Sequence, residues 1–189
     1  MAETNLVPRH KVTFEDFSRL AQRHGWKLDQ RSARTASQDE SPAFLWHIGG
    51  SGAVKLVQSA TLNRCYMVIA GDEHGVLAAH VREAFPIFSP AEIIDRLSVA
   101  RSAEDRKAAL HLVAATATPC YDQTIYNAVC AGLEESDPFV QLAALAAAFY
   151  CRWQQFEPMI ERMVGSPRVG ENVRIVARNL LGLTRWDCG

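Results

Sequence analysis

The run from Phe139 to Cys151, FVQLAALAAAFYC, carries a single strongly polar side chain, Gln141. It opens on Asp137-Pro138, a favoured N-cap followed by a residue favoured at the first helical position. A helix that is apolar all the way round has no face to give to water, so other elements must wrap it. It is also too short to cross a bilayer, which takes about 20 apolar residues. Its neighbours in sequence therefore have to supply the wrapping.

They read as helix after helix. Ser89-Pro90-Ala91-Glu92 is a full capping box with Pro at the first position, and Ile93, Ile94, Leu97 and Ala100 form the buried stripe behind it. Ser102 opens a helix running to about Thr116, and Pro119 breaks it. Tyr121–Glu134 is its partner, with Ile125, Ala128, Val129 and Leu133 inward. After the apolar helix, Trp153 sits in a turn, and Phe156–Val164 returns with Met159, Ile160 and Met163 inward. Gly165-Ser166-Pro167 breaks again. Glu171–Leu183 closes the array with Val173, Val176, Ala177 and Leu180 inward.

The N-terminal part follows a different rhythm. Residues 1–12 read as a flexible lead-in. Thr13 begins a helix with Asp16 as an imperfect capping box, and Phe14, Phe17, Leu20 and Ala21 share one face. His24-Gly25 ends it, and Trp26-Lys27-Leu28 starts a short strand. Arg31–Pro42 is polar and reads as a mobile loop. Ala43–Ile48, Ala53–Ser59 and Cys65–Ala70 are strand-like runs with short turns between them, which favours antiparallel pairing. Val76–Phe85 is then a helix with Val76, Leu77, Ala79, His80 and Ala84 available to cover the sheet. The expected organisation is a lead-in at 1–12, an α+β part at 13–88 made of a small antiparallel sheet with helices, and an all-α stack at 89–189.

Charge narrows the partners. The net charge is −1; residues 1–101 hold 12 Lys and Arg against 11 Asp and Glu, and residues 102–189 hold 8 against 10. No bulk field draws nucleic acid or anionic membrane. The five cysteines contain no CxxC spacing and read as reduced, mostly core thiols of a cytoplasmic protein. MAETNLVPRHKVTF has no apolar run behind its charges and does not read as a signal peptide.

The helices also echo one another. Residues 105–110 overlay on 140–145 at an offset of 35 and on 173–178 at an offset of 68, with paired small residues recurring at one place. Small residues let helix axes approach closely, and each pair leaves an apolar face for the next. Asp137-Pro138-Phe139-Val140-Gln141-Leu142-Ala143-Ala144-Leu145 and Asn172-Val173-Arg174-Ile175-Val176-Ala177 resemble the repeat start of HEAT-repeat proteins over residues 102–189. Gln141 stands where that family usually has Arg, and Asp105 where an aliphatic is usual. The resemblance implies a protein-binding stack whose second helices line a concave face. On that face the residues directed away from the core are Asp122, Gln123, Tyr126, Asn127, Gln155, Glu157, Glu161 and Arg162.

Signs of chemistry are thin. Gly49-Gly50-Ser51-Gly52-Ala53-Val54-Lys55 lacks the Gly-Lys-Ser/Thr step at a helix start that a phosphate loop needs, so it reads as a hairpin turn. Asp72, Glu73, His74, His80 and Glu83 are rich in metal-capable groups, but His74 and His80 do not share an i,i+4 face, and the cluster reads as a solvated turn. A Cys65–His47 dyad would need an exposed thiol, whereas CYMVIA reads as buried. Trp46, Trp153, Tyr126, Tyr150 and Trp186 read as packing. Arg9, Lys11, Arg19, Arg23, Lys27, Arg31 and Arg34 read as a solvated basic face. The expectation is a non-enzymatic protein-protein interaction module with no cofactor and no metal, of the inhibitor or immunity type. It has a protein partner, no membrane, and an acidic helical half that argues against nucleic acid. The alternatives are a HEAT-like nucleic-acid binder, or a small enzyme using the sheet edge.

Overall fold

A computed structural model describes residues 3–29, 43–49, 51–116 and 121–183. The loop expected over 31–42, the break at Pro119, and Cys120, Trp186 and Cys188 lie outside the described residues. The chain divides into two compact units, Met1–Phe88 and Ser89–Gly189.

The first unit contains β1 (Glu3–Leu6), α1 (Phe14–Arg23), β2 (Lys27–Leu28), β3 (Ala43–Ile48), β4 (Gly52–Ser59), β5 (Arg64–Ala70) and α2 (His74–Ala84). The strands form one sheet in the order β1-β5-β4-β3-β2, with every neighbouring pair antiparallel. The lead-in expected over 1–12 is corrected here: Glu3–Leu6 is an edge strand that pairs Glu3 with Ala70 and Leu6 with Met67. Its ETNL sequence has no apolar alternation, so only a partner more than sixty residues away makes it a strand. The central strand is β4. The more apolar β5 lies beside it, under β1.

Trp46, Val54 and Ile69 stand in register on one sheet face, as do Phe44, Leu56 and Met67. Both helices pack on that face. Thr13 Oγ1 accepts the Asp16 N–H at 3.1 Å, and Asp16 Oδ2 accepts the Thr13 N–H at 3.2 Å, so the capping box is complete. These bonds to Thr13 hold the Asp16 carboxyl below its ordinary pKa. Phe17 then reaches Trp46 at 4.7 Å between ring centroids. From α2 the covering residues are Leu77, Ala78 and Val81. Val76 and Ala79, expected to help, face outward, and Val76 is 57% exposed. The helix starts at His74, two residues earlier than its apolar text suggests, and its buried stripe is Leu77, Ala78 and Val81.

The second unit contains α3 (Pro90–Val99), α4 (Ala103–Thr116), α5 (Gln123–Leu133), α6 (Pro138–Cys151), a 3-10 turn (Gln154–Phe156), α7 (Glu157–Gly165) and α8 (Glu171–Leu183). Neighbour relations sort them into two layers: α4, α6 and α8 lie side by side, as do α3, α5 and α7. The apolar helix α6 is wrapped by α4, α5 and α8. Asp137 caps it, its Oδ1 accepting from Phe139 N–H at 2.8 Å and Val140 N–H at 3.3 Å. Ala143, Ala144, Leu145, Ala147 and Ala148 are all buried. Gln141 is buried without penalty because its Nε2 donates to the carbonyls of Leu133 at 3.4 Å and Glu135 at 2.7 Å, groups left unpaired where α5 ends. The Arg106–Glu135 ion pair ties α4 to the same corner. Val176, expected inward, is 40% exposed on α8, the last described helix.

Candidate functional site

The side chains singled out on the second helices are held by α5, the 3-10 turn and α7. Aromatic packing joins these elements. Trp153 and Phe156 are buried and stack with centroids 5.7 Å apart. Tyr126 stacks on Phe156 at 5.1 Å and donates its hydroxyl to the Gln155 carbonyl at 3.3 Å. Tyr121 closes the group, 5.1 Å from Trp153 and 5.8 Å from Tyr126, and remains 44% exposed. A large ring with one edge in water and the other on a dry stack is held at low entropic cost, the condition under which aromatics anchor interfaces.

The polar residues around it play different parts. Asp122 is the N-cap of α5, its Oδ1 accepting from the N–H groups of Thr124 at 2.8 Å and Ile125 at 3.0 Å, which gives it a structural task. Gln123 accepts the Tyr121 hydroxyl at 2.9 Å and donates to Asn127 at 2.8 Å, forming a polar chain along the exposed side of α5. Gln155 contributes its backbone to Tyr126. Glu157 is half-buried at the start of α7; Glu161 and Arg162 are exposed. Arg162 leans on Met159, with Nη2 3.0 Å from Sδ. Tyr126 and Gln155 are thus in direct contact, whereas Gln123 and Asn127 are linked to the ring cluster through Tyr121. Sequence reasoning left Tyr121 off the exposed face and placed it at the start of a Tyr121–Glu134 helix, whereas α5 begins at Gln123 and Tyr121 folds back on the rings before it. The signal available was two aromatic pairs, Tyr121 with Tyr126 and Trp153 with Phe156, about one helix pair apart in sequence.

Beneath Tyr126 lies Cys130. The hydrogen bond between the two side chains, then burial, raises the Tyr126 pKa. Burial raises that of the Cys130 thiol, and the Tyr126 bond opposes it. Both groups stay protonated at neutral pH, which suits packing rather than nucleophilic work.

The other candidates are separated by the fold. His47 stands opposite Ala53, which stands opposite Ala70, while Cys65 stands opposite Gln58. Five residues of strand put His47 and Cys65 roughly 17 Å apart along the sheet, so they form no dyad. Lys55 lies within β4 rather than at a helix start, and Ile48 pairs with Gly52 at the end of the β3–β4 ladder. Gly71, with φ +109, passes so close beneath it that a Cβ there would sit 2.2 Å from the Ser51 carbonyl oxygen. His74 Nδ1 engages the Gly71 carbonyl at 3.1 Å, while His80 stacks on His24 at 4.0 Å, so the two α2 histidines serve different contacts. Among the described residues no group of three His, Cys, Asp or Glu side chains could hold a metal ion, and no helix is long and apolar enough to cross a membrane.

No protein-family model matches the sequence, and neither a curated protein nor a solved structure matches the chain.

Proposed function

We propose that this chain is a non-catalytic protein-binding module whose helical unit is a short HEAT-like stack, and that its docking surface is the exposed side of α5 with the turn into α7. The observation that carries the reading is the Tyr121 edge, 44% exposed above the buried Trp153–Phe156 stack and rimmed by Gln123 and Asn127. An aromatic anchor in a polar rim is the usual anatomy of a protein interface. Rigid helices lose little ordering entropy on docking, and a footprint of about 800 Å² on this side would give a specific complex. The partner would be a folded protein presenting an apolar or Arg-bearing knob to the rings. The role is that of an inhibitor or immunity-type protein for a cognate partner.

A photocrosslinker at Asn127 in the full chain, used in lysate of the source cell, tests this. A discrete protein adduct is expected. Adding Tyr121→Ala should diminish it by about tenfold or more, the scale of an interface anchor, while the same crosslinker at exposed Gln22 of α1 should not produce it. The same adduct from both positions, or no dependence on Tyr121, would sink the reading.

A further inference from the structure

The row of helices α4, α6 and α8 ends on a helix with an uncovered apolar flank. Among the described elements α8 packs mainly on α6 and α7, and its Val173, Ala177 and Leu180 are buried. Turned away from them, Ile175 is 42% exposed and Val176 40%. Asn172 lies one turn before this pair and Asn179 one turn after it, both exposed. Steps of three and four residues keep one side of a helix in line, so these four side chains make a single stripe. Within the row each helix buries the flank of the next; α8 is the last described member and shows an apolar flank where a further helix would lie.

The stripe reads the same from either end: Asn, aliphatic, aliphatic, Asn. A contact around a two-fold axis needs that property, because residue i meets residue j while j meets i. At about 1.5 Å of rise per residue, two antiparallel copies of α8 with the axis between positions 175 and 176 set Asn172 of one copy level with Asn179 of the other, at both ends. A carboxamide is donor and acceptor at once, so such a pair satisfies itself. In the middle Ile175 lies beside its own counterpart, as does Val176. Charge follows the same symmetry. Glu171 and Arg178 are exposed, two turns apart, and border the stripe on one side. The axis brings Glu171 of each copy to within about 3 Å, measured along the helix, of Arg178 of the other. Arg174 Nη2 holds Glu171 Oε2 at 3.1 Å, yet the Glu171 side chain remains 76% exposed. Parallel helices would instead set Glu171 against Glu171 and Arg178 against Arg178.

We propose that the exposed stripe of α8 docks on the same stripe of a second copy of this chain, the two helices running antiparallel around the Ile175–Val176 step. A different partner would have to present two amides, an apolar centre and a reversed charge pair at matching heights; a second copy supplies them by symmetry. One helix pair is a small contact, in the class below about 1,200 Å² that belongs to weak, reversible complexes. The contact uses none of the α5 and α7 residues of the docking surface above and stands independently of that reading.

Sedimentation equilibrium of the full chain, up to about 500 µM, tests the assignment. A reversible monomer–dimer equilibrium is expected, with a Kd of about 10–100 µM. Val176→Glu sets like charges beside each other at the axis and should weaken the dimer by about tenfold or more. Glu171→Arg and Arg178→Glu each turn both ion pairs into repulsions, and each should weaken self-association by about threefold or more. Mixing those two variants should restore the native affinity to within about twofold, because every Arg then faces a Glu across the axis. A charge effect confined to one chain is not repaired by mixing. Thermal melts establish that the variants are folded; if Val176→Glu is not, the mixture of the two charge variants decides. A monomer at every concentration would mean that something other than a second copy covers the stripe. A dimer indifferent to a folded Val176→Glu forms elsewhere, and a mixture no tighter than its components rules out the antiparallel pairing. Each of these results overturns the proposal.

Discussion

The two units exclude water by opposite means. In the sheet unit, a few large rings fill the space between helix and sheet: Phe17 lies 4.7 Å from Trp46 and 6.0 Å from Trp26. In the helical unit, the space itself is small. Ala109, Ala143, Ala144, Ala147 and Ala148 are buried, and a Cβ added at Gly132 would lie 3.0 Å from the Ala144 Cβ and 3.0 Å from Leu110 Cδ1. Close helix axes need small side chains, whereas a helix laid on a pleated sheet leaves room that only bulk can fill. Losing atoms should therefore cost the first core more than the second, and gaining them should cost the second more than the first.

The largest expected contrast concerns the thiols. Cys151 lies deep in α6, and burial pushes its pKa from 9.0 up to about 12. Near neutral pH its thiolate fraction should be about a thousandfold below that of an exposed thiol. Among the described cysteines, half-buried Cys65 should be alkylated well before buried Cys151, as read by mass spectrometry of timed digests. The same burial sets a sign for stability. Above pH 9.0 the unfolded thiol ionises while the folded one stays protonated, so stability present below that pH is lost progressively toward about 12. Comparable alkylation rates would mean that the α6 environment is open.

Truncation and enlargement follow in size. Trp46→Ala should cost about 3–5 kcal/mol and Leu145→Ala about 2–5 kcal/mol in denaturant titrations, through lost transfer energy and the cavity left behind. Ala144→Leu adds atoms where α6 has no space and should cost about 1–3 kcal/mol. Leu145 tests whether α6 is central, since a change within about 0.5 kcal/mol would place it at the surface. Ala144 tests the tight-packing half of the contrast: a neutral Ala144→Leu would mean that the helices have room to spare.

Local signals carried well through the sequence, and distant ones did not. Ser89 with Glu92 and Thr13 with Asp16 are capping boxes because each pair lies three residues apart and needs nothing beyond its own turn. The all-apolar text of α6 required other elements to wrap it, and α4, α5 and α8 do so. By contrast, Glu3–Leu6 becomes a strand only by pairing with β5, and no residue within it announces that partner. Val176 looks like its inward neighbours because apolar spacing does not reveal which helix face lacks a covering element. The candidate sites depend on still more remote meetings. Tyr121 joins Trp153 across thirty-two residues. Side chains in linear text carry charge and size; convergence is a property of the fold.

The finest test of the tight packing in the second unit comes from two glycines, each in the last turn of its helix. Replacing a helix-interior glycine by alanine normally stabilises by about 1 kcal/mol, because the backbone has less freedom to lose. Gly132 of α5 should reverse that sign. Its new methyl would press on the Ala144 Cβ, which belongs to the backbone-fixed part of a buried helix and cannot swing aside as a long side chain would. Separating α5 from α6 would also stretch the Gln141 bonds that close the α5 carboxyl end. A net loss of about 1 kcal/mol is expected. Gly182 of α8 has nothing within 4 Å of the same added atom, and Gly182→Ala should gain about 0.5 kcal/mol, reduced from the full value by its place in the last turn. Paired chemical denaturation of the two variants reads the difference directly. If both were stabilised equally, the α5–α6 contact would yield to a methyl group, and the close approach of these helices could not be what sets the small-residue pattern of the second unit.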